Sequence, residues 1–173
     1  MKEMENDKTD TTENDYWLSA YLYYHEPWET FITKAVSPFI DKMLEKHLVK
    51  RFFFIRYWEK GPHIRLRFQG NKQTIEEKIK PNLIKHFEDY YKELPSQYQS
   101  EKIKEIAKAE NWYPNNSVQF IEYEPEVVRY GGQYAISVAE EHFQCSSKAV
   151  LTAISDSENW TYDHALGTAI QMY

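Results

Sequence analysis

The chain has 173 residues, 42% hydrophobic and 28% charged, which fits one globular domain with a core of its own; no apolar run is long enough for a membrane span. With 27 acidic and 21 basic residues the formal net charge is -6, which excludes the broad basic surface of a general nucleic-acid binder. The single Cys145 can form neither an internal disulfide nor a cysteine metal cage, in keeping with a reducing, cytoplasmic setting.

The first fifteen residues, MKEMENDKTDTTEND, are polar and carry no signal-peptide core, so residues 1–15 read as a disordered leader before one domain at 16–173. WLSAYLYY, 17–24, is rich in aromatics and predicts a strand. Apolar residues then recur at helical spacing over 28–48, with Pro38 expected to bend or divide the helix. RFFFIRYW, a turn at 59–62 and HIRLRF predict a hairpin. An amphipathic stretch at 72–93 is interrupted by Pro81, as two helices or one kinked helix. Next come a short helix at 102–110, a loop at 111–116 and a strand at 117–125. Ile136 to Phe143 fit a helix, Ser146 or Ser147 is placed to cap another running to 154, and 162–173 reads as a last one. The expected fold class is α+β, a small antiparallel or mixed sheet with helices packed mainly on one face.

A four-residue hairpin turn sets Trp58 opposite His63, Arg56 opposite Arg65 and Phe54 opposite Arg67. His63, Arg65, Arg67, Arg56, Trp58 and Phe54 then share one face, and Phe53, Ile55, Tyr57, Ile64, Leu66 and Phe68 share the core face. Two arginines directly opposed destabilise a hairpin unless an anion neutralises them, and guanidinium forks suit carboxylate or phosphate. Glu122, Glu124 or Glu126 of the same chain could equally supply that anion. A second motif, EYEPEVVRYGG at 122–132, puts Glu126 and Arg129 three residues apart on a turn that starts at Pro125 and stops at Gly131-Gly132. A capped turn with an internal ion pair accounts for the same residues.

RFFFIRYWEKGPHIRLRF and YEPEVVRYGG, followed by AISVAEEHFQCSS and preceded by WLSAYLYY in the first-strand position, resemble the C-terminal domain of lantibiotic dehydratases. The family is also labelled thiopeptide-type bacteriocin biosynthesis domains. The match runs in the family's order over about 17–147. The resemblance implies that a separate, larger domain transfers glutamate from glutamyl-tRNA to Ser or Thr of a precursor peptide. This smaller domain would then eliminate glutamate to leave dehydroalanine or dehydrobutyrine. It implies Arg65, Arg67, Arg129 and Glu126 as the elimination residues.

β-Elimination requires a base for the Cα proton, stabilisation of the enolate and recognition of the departing carboxylate. Arg65 and Arg67 are expected to hold the glutamyl carboxylate, Arg129 to stabilise developing charge and Glu126 to orient Arg129. Arg56, His63, Tyr130 and Gly131 are the further substrate-binding candidates. His63 could be a base, although neighbouring arginines favour its neutral form. The family continues past this region to a catalytic histidine, so the family's C-terminal part is expected to be missing here. His142 and His164 precede that region and do not inherit the role.

The expected partners are the precursor peptide and a separate glutamylating protein, with no direct nucleic-acid contact and no membrane insertion; assembly of identical copies is compatible with the sequence. No cofactor or metal is implied, and P-loop, GxGxxG, HExxH and zinc-type cysteine-histidine spacings are all absent. Two readings compete with elimination. One is the related cycloaddition that forms a thiopeptide pyridine macrocycle. The other is a non-catalytic module that binds leader peptide or docks a partner enzyme through an edge strand.

Overall fold

Four strands, β1 (Asp15–Tyr23), β2 (Arg51–Tyr57), β3 (His63–Asn71) and β4 (Ser117–Phe120), pair in the order β2-β3-β1-β4, and every pairing is antiparallel. The computed structural model describes residues 15–155. The polar leader through residue 14, His164 and the helix expected at 162–173 lie outside them.

Side-chain alternation sends Leu18, Ala20 and Leu22 of β1, Phe52 and Phe54 of β2, and Ile64, Leu66 and Phe68 of β3 into one core. That core is closed by α1 (Trp28–Phe31) and α2 (Ser37–Glu45), and by α3 (Lys72–Thr74) and α4 (Lys80–Glu93). Phe31, Phe39, Ile40 and Met43 come from the first pair, Leu83 and Phe87 from α4. Each such side chain contributes about 1.5–3 kcal/mol on full burial. Helices on one face of an antiparallel sheet make the α+β class expected from the sequence.

Neither helical run is divided at its proline. Pro38 and Pro81 sit in the first turn of α2 and α4, directly after π-helical stretches at Ile32–Val36 and Ile75–Ile79. A proline lacks the N–H and its ring crowds the carbonyl four residues back; the wider π turn makes room for that ring while the helix continues. α5 (Glu101–Ala109) is capped by the Ser100 hydroxyl, which accepts from the Ile103 N–H at 3.4 Å.

α6 (Gln133–Ser155) is one helix where two were expected. Ser147 does not cap a new helix. Its hydroxyl donates to the Phe143 carbonyl at 2.8 Å and accepts from the Phe54 N–H at 3.0 Å, while Gln144 Oε1 accepts from the Phe52 N–H at 3.0 Å. α6 therefore lies along β2 and occupies the outward donors of that edge. β4 ends at Phe120, short of the expected 125, although the Ile121 N–H still donates to the Ser19 carbonyl at 3.3 Å. No helix among the described residues is long and apolar enough to cross a membrane.

Candidate active site

The hairpin loop has five residues, 58–62, rather than four. Lys60 and Gly61 both take positive φ, 58° and 109°, and the Gly61 N–H donates to the Trp58 carbonyl at 3.1 Å. The extra residue shifts the register by one, to Tyr57↔His63, Ile55↔Arg65 and Phe53↔Arg67. β3 keeps the expected division of its faces and β2 exchanges them. Arg56 therefore falls opposite Ile64 on the helix side, with its guanidinium 4.4 Å from the Trp28 ring centroid. It does not line the cavity described below, and no pair of arginines opposes across the hairpin.

His63 is fully buried, stacked between Tyr21 at 4.8 Å and Tyr23 at 4.6 Å. Its Nε2 accepts from Arg65 Nε at 3.2 Å, which leaves Nδ1 to carry the proton and donate to the Gly61 carbonyl at 2.7 Å. Burial, reinforced by the Arg65 charge and opposed by the bond to Gly61, pulls the His63 pKa down to about 4. Both nitrogens are thus engaged on a neutral ring behind Arg65. His63 does not line the cavity, and both of its ring nitrogens are taken by Gly61 and Arg65. Arg65 itself donates to Glu59 at 3.2 Å and lies over the rings of Tyr57 at 3.6 Å and Tyr21 at 4.6 Å.

Arg67 is only 8% exposed, and no ion pair engages it among the described residues. Aromatic faces surround it instead, Tyr123 at 4.2 Å and Phe53 at 5.1 Å. Its Nε has no hydrogen-bond partner, and neither has the Ser19 hydroxyl directly across the β1–β3 pairing. Burial lowers the Arg67 pKa, while the neighbouring Tyr123 and Tyr21 act in the other direction. A guanidinium stays protonated in such a place, so Arg67 is a buried positive charge with no ion pair among the described residues.

The second motif folds over this face as one helical turn. The Gly132 N–H donates to the Val127 carbonyl at 2.8 Å and Gly131 to Val128 at 3.4 Å, the paired bonds of a Schellman stop, with Gly131 at φ 89°. Gly131 is a backbone requirement and does not line the cavity. Glu126 and Arg129 form the expected pair at 2.9 Å on the exposed rim, and this bond raises the Arg129 pKa. Tyr130 packs on Phe143 of α6 at 5.2 Å.

Between the turn and the sheet lies a cavity of about 480 Å³. The structure brings Arg65, Arg67, Glu126, Arg129 and Tyr130 to it and leaves out Arg56, His63 and Gly131. It adds Glu59, Tyr21, Tyr57 and Tyr123, which sequence reasoning missed. The alternation of Trp17, Ser19, Tyr21 and Tyr23 along β1 was a legible sign of a second, non-core face. Glu140, buried on α6, had no sequence sign beyond its place in an acidic pair. Among the described residues no group of three or more His, Cys, Asp or Glu is placed to hold a metal.

The fold is an antiparallel α+β sheet that carries, on the face away from α1–α4, an aromatic cavity with buried Arg67 and half-buried Arg65. Over residues 17–173 the sequence matches the family described as Lantibiotic biosynthesis dehydratase C-term, and the chain belongs to that family. It is 30% identical over 135 residues to the subtilin biosynthesis protein SpaB of Bacillus subtilis, covering 78% of this chain and 11% of SpaB. It is 26% identical over 132 residues to the epidermin biosynthesis protein EpiB of Staphylococcus epidermidis, covering 76% and 11%. The chain thus spans about a tenth of the length of these relatives. The fold is shared with the pyridine synthase TbtD from thiomuracin biosynthesis, at TM-score 0.64 and 18% identity, over 83% of this chain and 48% of TbtD. It is shared also with the tRNA-dependent lantibiotic dehydratase MibB of Microbispora sp. 107891, at TM-score 0.61 and 22% identity, over 84% and 12%.

Proposed function

We propose that this chain carries out the glutamate-elimination step of Ser/Thr dehydration on a ribosomally made peptide that a separate protein has glutamylated. The observation that carries the reading is Arg67, a buried cation without an ion-pair partner among the described residues, beside Arg65 in a cavity sized for a small acid. Arg65 and Arg67 hold the glutamyl carboxylates. Arg129 has the reach of an exposed side chain and meets charge as it develops, with Glu126 setting its direction. Membership in the dehydratase family supports the same step.

The likeness of fold to a pyridine synthase supports a second reading, cycloaddition on a peptide already bearing dehydroalanines. Mass spectrometry separates the two. A glutamylated precursor peptide incubated with the chain, alone and with its glutamylating protein, is expected to lose glutamate and gain dehydroalanine. No mass change despite measurable peptide binding overturns elimination, and a macrocycle formed from a dehydroalanine peptide replaces it. Arg67→Lys, which keeps the charge and loses the fork, is expected to lower the elimination rate by about 10²-fold or more. An unchanged rate removes Arg67 from carboxylate recognition.

A further inference from the structure

Three guanidiniums and four carboxylates line the cavity, and ion pairs join only some of them. Glu59 holds Arg65 at 3.2 Å, and Glu126 holds Arg129 at 2.9 Å. That leaves Arg67 of one sign, and Glu122 and Glu124 of the other, with no ion pair among the described residues. Arg67 is the buried member of this set, 8% exposed and with its Nε unpartnered. Glu122 and Glu124 are exposed.

The two glutamates flank Tyr123, whose ring lies 4.2 Å from the Arg67 guanidinium. Adjacent Cα atoms are about 3.8 Å apart, so both carboxylates start one residue from the ring that covers the buried charge. The open charges are therefore one buried cation and two exposed anions close by. Their complement is a short molecule with a carboxylate at one end and an ammonium a few bonds away.

The rest of the wall offers an ammonium less. Tyrosine faces attract cations, but Tyr57, Tyr21, Tyr123 and Tyr130 already have a guanidinium at 3.6, 4.6, 4.2 and 5.8 Å. A second cation there meets a like charge. Glu59 and Glu126 each face an arginine, which opposes a further cation in the same way.

We propose that Glu122 and Glu124 form an ammonium subsite, so that the cavity takes a zwitterionic acyl group with its side-chain carboxylate on Arg67 and its free α-ammonium on the two glutamates. This rests on the elimination reading above, in which the acyl group is glutamyl. An ester made from glutamyl-tRNA is joined through the α-carboxyl, so its α-ammonium and its side-chain carboxylate are both free. The carboxylate goes inward to the buried guanidinium, and the ester with its peptide stays at the rim beside the exposed Arg129. An acyl group without the ammonium keeps the Arg67 contact and leaves Glu122 and Glu124 unanswered. The subsite thus selects among acids that Arg67 alone would accept.

The test compares two small probes on the full chain by calorimetry. Glutamate α-methyl ester carries both charges of the glutamyl group, and monomethyl glutarate lacks only the ammonium. The wild type is expected to bind the first about tenfold more tightly at low salt, and the preference is expected to shrink as salt screens the exposed carboxylates. The double variant Glu122→Gln with Glu124→Gln is expected to bring the probes within about twofold of each other by weakening the methyl ester. Glu59→Gln, which removes a carboxylate already held by Arg65, is expected to keep the preference. Near-UV circular dichroism establishes folding. The single variants Glu122→Gln and Glu124→Gln, each expected to lose part of the preference, serve in place of a double variant that does not fold. A wild type that binds the probes equally, or binds neither, overturns the subsite, and so does a folded double variant that keeps the preference. Elimination is assayed separately on a peptide with one O-glutamyl serine. A chain that eliminates glutamate and shows no preference loses the subsite alone, and a chain that shows the preference and eliminates nothing loses the elimination reading alone.

Discussion

Arg65 takes its direction from a histidine as much as from an acid. Glu59 is exposed and screened, whereas His63 is buried and its only free lone pair points at Arg65 Nε. Protonating His63 would set a donor against a donor and a charge against a charge. The native ring therefore resists protonation to about pH 4, while in the unfolded chain it titrates near 6.5. As pH falls through that window the unfolded state takes up the proton first, so the stability His63 contributes is complete above pH 6.5 and is lost toward pH 4. Urea unfolding at pH 6.5 and 5.0 is expected to show a loss about 2 kcal/mol larger for the wild type than for His63→Gln. Equal losses would mean that the imidazole is already charged in the folded protein. The alternation in HIRLRF showed which way these side chains point. It could not show that the first lies behind the second, because depth comes from Tyr21 and Tyr23 on a strand 40 residues away in register.

At the level of elements, the site depends on two short segments whose lengths decide its composition. A hairpin loop one residue longer than the turn chemistry of Glu59 to Pro62 implied moves Phe53, Ile55 and Tyr57 into the cavity wall and takes Arg56 out of it. Composition could not settle that, since between Arg51 and Arg56 β2 is apolar on both faces. Trp58, the first residue of the loop, stacks on Trp28 at 6.1 Å, a contact between distant residues. The second segment is the turn from Glu126 to Gly132, where glycines and ion pair were legible in order and spacing. α6 was read as two helices because Ser147 looks like a cap; its use as a clasp on β2 needs the partner strand. Ser147→Ala leaves the Phe54 N–H unpaired beneath α6 and is expected to destabilise the protein by about 1–3 kcal/mol. It is also expected to speed exchange of the Phe54 amide over that of Leu66 in β3; unchanged stability and exchange would show that the helix does not depend on this bond.

Across the whole molecule, one sheet separates two kinds of chemistry. Its helix side is an apolar core readable from spacing in β3 and the helices but not in β2, whose faces are exchanged, and Pro38 and Pro81 are absorbed by π turns. Its other side collects arginines, tyrosines and glutamates from β1, β2, β3, the turn and α6, and only the contributions grouped within a single motif were visible in the sequence. Keeping Arg67 buried, with no ion pair among the described residues, costs stability that its aromatic neighbours offset only in part. Arg67→Met, which fills the same space among the rings without the charge, is therefore expected to stabilise the empty chain by roughly 1–3 kcal/mol while abolishing elimination. Binding an acid should recover that cost in the wild type. Free glutamate at about ten times its Kd is expected to add about 1.4 kcal/mol and raise Tm by about 3–6 °C. Glutamine, which lacks the second carboxylate, should raise it less, and Arg67→Met should start from a higher Tm and show no glutamate shift. A wild-type Tm indifferent to glutamate, or an Arg67→Met chain less stable than the wild type, would mean that the charge is satisfied within the fold and that the cavity is not built around a carboxylate.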